Sequence, residues 1–581
     1  MLKKISLIII VMLIIPLALL AQNKSPIIPH YIDDGASLAP SGVENNEVFK
    51  NSQLTWALID SMNNCYGMLS NRVKPFAYDP YTGAVVFLHR GQAGYGASGQ
   101  LWYNMSMDGA TTWRRVSEVN AGNANNSRYP SCAISNPTNS SDTSVALFVF
   151  SAPQLYAGAW GATIYGVDLL GSAGPYSVQD VGDATYWSNT TIWTERNSPW
   201  VLWTTRRGSP NSDFYLWRTQ DYVTVDAGVP TTWANANFSD LGLDIGGKFR
   251  NGVNYFGTWA VWPGDDTLDY NVGYSKSTDN GATWSAWIRP QPSWRNVSGV
   301  SQNSFWWDYG NGYSFDMLVD ADNRVHFFGV AQDTLTSAIG VIEIYETATG
   351  WDSKIITSDL KISTDLTYDG LDQMGTHLNS AISPDGNVMA IYWLDAPVPG
   401  DSLADIWFAS RHINTNWSTP VNLTETPAFH EILLHVAPTL KYNGGDSYTA
   451  FVGRAYEARS TTYPPNDVAT TFAFTAKHTF TQLPVSVRDD ENIPNVFQLR
   501  QNYPNPFNPV TSIKYSVPER SKVSLKIYDI LGSEVATIVN DTQEAGIYET
   551  YFDASNLSSG VYIYTLKAGS NIGSKKMILM K

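Results

Sequence analysis

His430 and His435, with Glu431 between them, are residue types that a catalytic zinc site uses, but the two histidines stand five apart. On a helix they diverge by about 140°, and on a strand they face opposite sides. The pair is therefore not a zinc-peptidase motif. Asp320-Ala321-Asp322-Asn323 and Ser383-Pro384-Asp385-Gly386-Asn387 offer oxygen ligands to calcium. Neither continues into the spaced carboxylates of a calcium loop, and both read as hairpin turns. Cys65 and Cys132 are the only thiols and form no zinc signature; one disulfide or two buried free thiols fits them. No metal and no cofactor is expected. The stretch best suited to hold a ligand is Phe305–Tyr313, FWWDYGNGY. Trp306, Trp307 and Tyr309 offer apolar faces for a sugar ring, beside Asp and Asn acceptors for its hydroxyls. The same rings would serve packing between sheets, and both readings stand.

The elements that must position these residues are strands. Of 581 residues 43% are hydrophobic but only 15% charged, with 44 Gly and 21 Trp. That composition excludes a disordered chain, a coiled coil and a disulfide-stapled miniprotein, and it suits short strands joined by many turns. No run shows a long amphipathic helical period. From residue 50 to 480 a strand, turn, strand unit recurs, anchored at Pro75–Arg90, Pro130–Ser151, Thr191–Thr205, Thr258–Ser275, Ser314–Val330, Leu378–Leu394 and Val436–Gly453. A four-stranded blade needs about 40–60 residues. The expected fold is all-β, a seven-bladed β-propeller, with six blades as the alternative because the third unit is the least regular. Residues 481–493 read as a linker broken by Pro484 and a run of charges. Beyond it strict alternation sets in at Ile513-Tyr515-Val517, Val523-Leu525-Ile527 and Val561-Ile563-Thr565, the pattern of a small C-terminal β-sandwich.

The formal net charge of −16 opposes nucleic acid and anionic lipid as partners. Residues 1–21 read as a signal peptide: Lys3 and Lys4, the apolar run Leu7–Ile15, Pro16, and Ala21 before Gln22. Residues 22–49 form a lead-in. No other stretch is apolar enough to span a membrane, so no membrane-spanning segment is expected in the mature chain.

Ser277-Thr278-Asp279-Asn280-Gly281-Ala282-Thr283-Trp284 fits the pattern Ser-x-Asp-x-Gly-x-Thr-Trp at every defined position, and Ser106–Trp113 fits it with Ala110 in place of Gly. This resembles the Asp-box repeats of sialidase-like propellers. The resemblance implies a structural role for Ser277, Asp279, Gly281 and Trp284, in turns away from any active site. Arg128-Tyr129-Pro130 is similar to the Arg-Ile-Pro of that family, making Arg128 a candidate ligand-binding residue, although it follows the first Asp box where the family places it before. The other two arginines and the Tyr–Glu pair of sialidase chemistry have no assignable counterparts.

The chain from 494 to 581 carries Arg500-Gln501-Asn502-Tyr503-Pro504-Asn505-Pro506-Phe507-Asn508-Pro509, Ile527-Tyr528-Asp529, Gly532, Ser559-Gly560-Val561-Tyr562 and Lys575-Lys576-Met577. It resembles the type A C-terminal sorting domain of the type IX secretion system. That implies export by this machinery, as partner of the C-terminal domain, to the medium or the outer cell surface. The expected function is a non-catalytic extracellular binding propeller for glycans. The alternative is a glycan-active enzyme, a sialidase-like hydrolase or a lyase, which needs carboxylates or a Tyr–Glu pair converging with Arg at the propeller's central mouth.

Overall fold

The structure is a computed structural model. It describes residues 54–580 apart from 64–72, 92–98, 122, 124–125, 157–158, 173–176, 182–186, 196–197, 208–213, 229–232, 234–243, 262–269, 291–304, 308–314, 334–338, 359, 362–366, 369–371, 374–375, 397–403, 426–431, 458–469, 483–496, 500, 503–504, 519 and 544–545. The expected signal peptide, Cys65, His430 and Glu431 lie outside the described residues. The chain divides into two compact units, Met1–Pro484 and Val485–Lys581.

In the first unit the described strands form seven main antiparallel sheets, besides a two-stranded ribbon. Numbered along the chain, their innermost strands are Phe76–Tyr78, Ser131–Ser135, Trp187–Thr194, Asp244–Arg250, Phe315–Val319, Asn379–Ile382 and Ile432–Val436. Each of these strands turns back into the next strand of its sheet or pairs with it. Five of the seven sequence anchors coincide with this innermost pair, and the seventh, Val436–Gly453, begins at the last residue of its innermost strand. The fourth does not, because Thr258–Ser275 spans the second and third strands of its sheet and the innermost strand, Asp244–Arg250, contains two glycines and little β-branched signal.

Aromatic contacts join each sheet to the next. Tyr103 stacks on Phe148 at 4.1 Å and Tyr165 on Trp203 at 4.2 Å, while Phe214 meets Phe256 edge-on at 5.1 Å. Tyr274 and Phe327, Phe328 and Trp417, and Phe408 and Phe480 continue the series, and Tyr78 on Phe451 at 4.9 Å returns it from the seventh sheet to the first. A sheet covered on both faces buries every side chain of its inner strands. Val85–Arg90 and Val388–Asp395 are buried at all positions, which is why they read as continuous apolar runs rather than alternating ones.

The seventh sheet is completed by an early strand, Trp56–Asn63, which pairs antiparallel with Thr470–Thr481. On it Asp60 is buried and accepts hydrogen bonds from Arg115 Nε at 2.8 Å and Asn104 Nδ2 at 2.9 Å, both on the first sheet, with a second contact from Arg115 Nη2. Burial alone would raise the Asp60 pKa, but His89 and Arg115 outweigh it and hold the carboxyl well below its ordinary range. Asp60→Ala is expected to cost roughly 2–4 kcal/mol, somewhat under a fully buried pair because Arg115 is partly exposed. Urea unfolding measures this, and hydrogen exchange should rise first in strand 56–63. Its contribution is present above the ordinary Asp pKa and is lost as pH falls through the depressed one.

The second unit has a three-stranded and a four-stranded sheet over one apolar core. Ile513, Tyr515 and Val517, then Val523, Leu525 and Ile527, point inward as their alternation predicts. On Gly560–Ala568 the phase is reversed: Tyr562, Tyr564 and Leu566 are buried while Val561 and Ile563 are exposed. Large apolar residues occupy both faces of that strand, so its own pattern does not choose the face, and the register with its neighbours decides.

Candidate functional site

The innermost strands bring polar residues of separate sheets together along the axis of the ring. Lys74, just ahead of the first of these strands, has its Nζ 3.2 Å from Asp316 Oδ2 on the fifth. The same carboxylate oxygen accepts from Ser380 N at 2.8 Å and Ser380 Oγ at 2.9 Å on the sixth. Ser131 Oγ donates to Thr190 O at 2.8 Å and accepts from Lys74 N, tying the first three sheets. These bonds satisfy polar groups that the interior would otherwise leave costly.

A cavity of about 460 Å³ opens where these strands reach their hairpins. Its lining comes from all seven sheets and includes Lys74, Asp79, Tyr81, Glu195, Lys248 and Arg250. That volume lies in the usual range of small-ligand sites. Tyr81 is 40% exposed and presents its ring to the opening. Lys248, on strand Asp244–Arg250, is partly buried in the cavity wall. Burial lowers its pKa, Asp316 offsets part of the shift, and Lys74 and Arg250 add to it, leaving it at about 8. Burial also works to raise the Asp316 pKa, yet Lys74, Lys248 and Ser380 hold that carboxyl below its ordinary value.

Each carboxylate of the cavity is engaged by the protein. Asp79 Oδ2 accepts from Thr82 N at 2.9 Å, Thr82 Oγ1 at 2.7 Å and Asn136 Nδ2 at 3.0 Å. Glu195 binds Asn254 Nδ2, and burial raises its pKa against that bond. A Tyr–Glu pair does occur, Tyr274 Oη donating to Glu346 Oε1 at 2.5 Å. It lies between the third strands of the fourth and fifth sheets, away from the cavity lining, and Glu346 Oε2 is taken by Val325 N.

Of the candidate ligand-binding residues of the sequence, Arg128 alone is described with its side chain. Arg128 precedes the second innermost strand, at the end of the ring where these strands begin, and does not line the cavity. Its backbone N–H donates to Pro153 O at 3.1 Å, and its Nε is buried without a hydrogen-bond partner among the described residues. Trp306 and Trp307 lie on a short strand that pairs with Ala331–Asp333, ahead of the fifth innermost strand. Their side chains and Tyr309 lie outside the described residues. Arg128 is not among the described residues that line the cavity. Lys74, Lys248 and Asp316, which do meet there, were not singled out, because in sequence they are lone charges in apolar strands more than 60 residues apart.

The Ser277–Trp284 turn is a hairpin turn. Asp279 Oδ1 accepts from Ser277 Oγ at 2.8 Å and Thr283 N at 2.8 Å, Gly281 N donates to Ser277 Oγ at 2.9 Å, and Trp284 packs into the cluster with Trp233. Gly281 has φ +78°, and a Cβ there would come within 2.7 Å of Leu202. Gly281→Val is expected to cost about 1–3 kcal/mol, measured by thermal unfolding. Ser106–Trp113 makes the same bonds with Ala110 at φ +64°. Thr219–Thr224 is a related turn, one residue shorter between its Asp and its Thr, with Tyr222 at φ +64° and Asp221 accepting from Thr224 N; Thr for Ser and the shorter spacing hid it in the sequence. The Asp320 and Ser383 turns close on their own amides as expected of hairpins. No group of ligands for a metal ion occurs among the described residues. Cys132 is a buried free thiol donating to Pro75 O.

Comparison with solved structures finds the alpha-L-arabinofuranosidase of Fusarium graminearum bound to arabinobiose, at 11% identity and TM-score 0.34, covering 71% of this chain and 97% of that one. The alpha-L-arabinanase of Penicillium chrysogenum is similar at 12% identity and TM-score 0.32, covering 63% and 99%. The leech intramolecular trans-sialidase matches at 11% identity and TM-score 0.34, covering 73% and 70%. No curated protein matches the sequence. Among the described residues no helix is long and apolar enough to cross a membrane. Residues 501–580 match the secretion system C-terminal sorting domain family. With its own sheets and core, this segment is a type IX C-terminal sorting domain, and the protein is secreted or attached to the outer cell surface.

Proposed function

We propose that the first unit is a seven-bladed β-propeller with Asp-box turns, and that the second is a β-sandwich joined to it by a linker at 481–493. Residues 1–21 are its signal peptide. The propeller works outside the cell as a non-catalytic glycan-binding module, its ligand seated in the central cavity. One observation carries this reading: the cavity is of ligand size and open beside an exposed tyrosine, while its carboxylates Asp79 and Glu195 are each committed to protein partners. A glycosidase needs a free pair of carboxyl groups to give and take protons, and engaged ones serve as walls instead. Trp306, Trp307, Tyr309 and Arg128 are a second candidate set of contacts.

Calorimetric titration against a panel of soluble plant and bacterial oligosaccharides tests the reading. Tyr81→Ala should weaken the best binder by more than about tenfold, roughly 1.4 kcal/mol, with little change in melting temperature. Equal loss from Trp306→Ala with Trp307→Ala, and none from Tyr81→Ala, would move the site to the other end of the ring. Release of reducing ends from any panel member would replace the binding module with an enzyme.

A further inference from the structure

We propose that the hairpin end of the cavity reads the charge of its ligand, with Lys248 binding the carboxylate of a uronate. This rests on the glycan-binding reading above and names the class of sugar. Lys248, Lys74 and Asp316 come from three sheets, and the two lysines line the cavity. Lys74 is paired with Asp316 at 3.2 Å. Lys248 makes no hydrogen bond or ion pair of its own with another described residue; its neighbours act on it only through their charge. An ammonium in that position is incompletely compensated, and a carboxylate supplied by a ligand corrects this where a neutral hydroxyl does not.

The strand that carries Lys248 is fixed in place. The Trp193 ring occupies the space where a side chain at Gly247 would begin, and its Nε1 donates to Asn254 at 2.8 Å. Arg250, two residues on, is anchored by its Nη1 on Pro384 O at 3.0 Å and adds positive potential without entering the pair. Asp79 and Glu195 also line the cavity, but turn and side-chain hydrogen bonds hold them. Lys248 offers one ammonium to one carboxylate, and Tyr81 at the opening suits the face of the ring that bears it. Anion binding must also favour the charged form of Lys248, whose pKa is held near 8 by burial and by Lys74 and Arg250 against Asp316. Affinity is therefore full below about pH 8 and declines above it.

The test is titration of the full protein with trigalacturonate and with its methyl ester, which keeps the shape and removes the charge. The acid should bind at least tenfold more tightly than the ester at pH 7, with the preference shrinking between pH 8 and 9.5. Lys248→Met should abolish the preference of acid over ester. The pH series uses the unaltered protein, so it decides the matter even where the variant does not fold. Equal binding of acid and ester overturns the uronate assignment and leaves the binding module standing. Binding of neither, together with a silent oligosaccharide panel, overturns both.

Discussion

Glu343→Ala should lower the stability of the first unit by about 3–5 kcal/mol, the range for breaking a buried ion pair. Glu343 is fully buried on the fifth sheet. It accepts from His326 Nδ1 at 2.6 Å, from Arg411 Nη2 at 2.6 Å and from Trp417 Nε1 at 2.8 Å, the last two on the sixth sheet. His326 Nε2 lies 3.2 Å from Asp320 on its other side. Removing the carboxylate strands the Arg411 guanidinium, 1% exposed, in a low-dielectric interior. The pH profile follows from the same contacts. Burial opposes the charged form of Glu343, but Arg411, His326 and Trp417 hold its pKa down at about 2, so its contribution is present above 4.5 and lost as pH falls toward 2. Burial likewise opposes protonation of His326, yet Asp320 and Glu343 raise its pKa above 6.5, so that contribution is present below 6.5 and lost as pH rises through the raised value. Urea midpoints across pH 2–9 should plateau between 4.5 and 6.5 in the unaltered protein, and both limbs should be shallower in Glu343→Ala. A cost under about 1 kcal/mol would mean that the network is not a lock between these sheets.

Ending the chain after Pro484 should abolish export. Residues 501–580 are the sorting domain, and the second unit has a core of its own built from Tyr515, Leu525, Tyr564 and Met577. The truncated chain should stay cell-associated, with the urea midpoint of its first unit within error of the full protein's. Cell fractionation with immunoblotting reads the first outcome and equilibrium unfolding the second. Appearance of the truncated form in the medium at wild-type level would show that another segment carries the address.

Much of the local structure was legible from residue patterns. The Ser277–Trp284 turn could be drawn from its sequence because every bond in it joins neighbours: a short acceptor side chain, a residue free to take positive φ, and a Trp that folds back. The strand pairs around Val85–Val86–Phe87 and Val325–Phe328 were visible for the same reason, and so was the sorting domain, a motif with many fixed positions. Ala110 and Tyr222 at positive φ show the limit of this reading, since their neighbours impose a conformation that their own types do not favour.

What belongs to one hairpin was determined by the sequence, because turn chemistry and strand propensity act over a few residues. The ring, the closing strand Trp56–Asn63 and the meeting of Lys74, Lys248 and Asp316 were decided only by the tertiary structure. A lone lysine in an apolar strand carries no mark of what faces it across the axis. Its partners lie on other sheets, and the long-range packing that brings them together also sets the burial that holds the Lys248 pKa near 8.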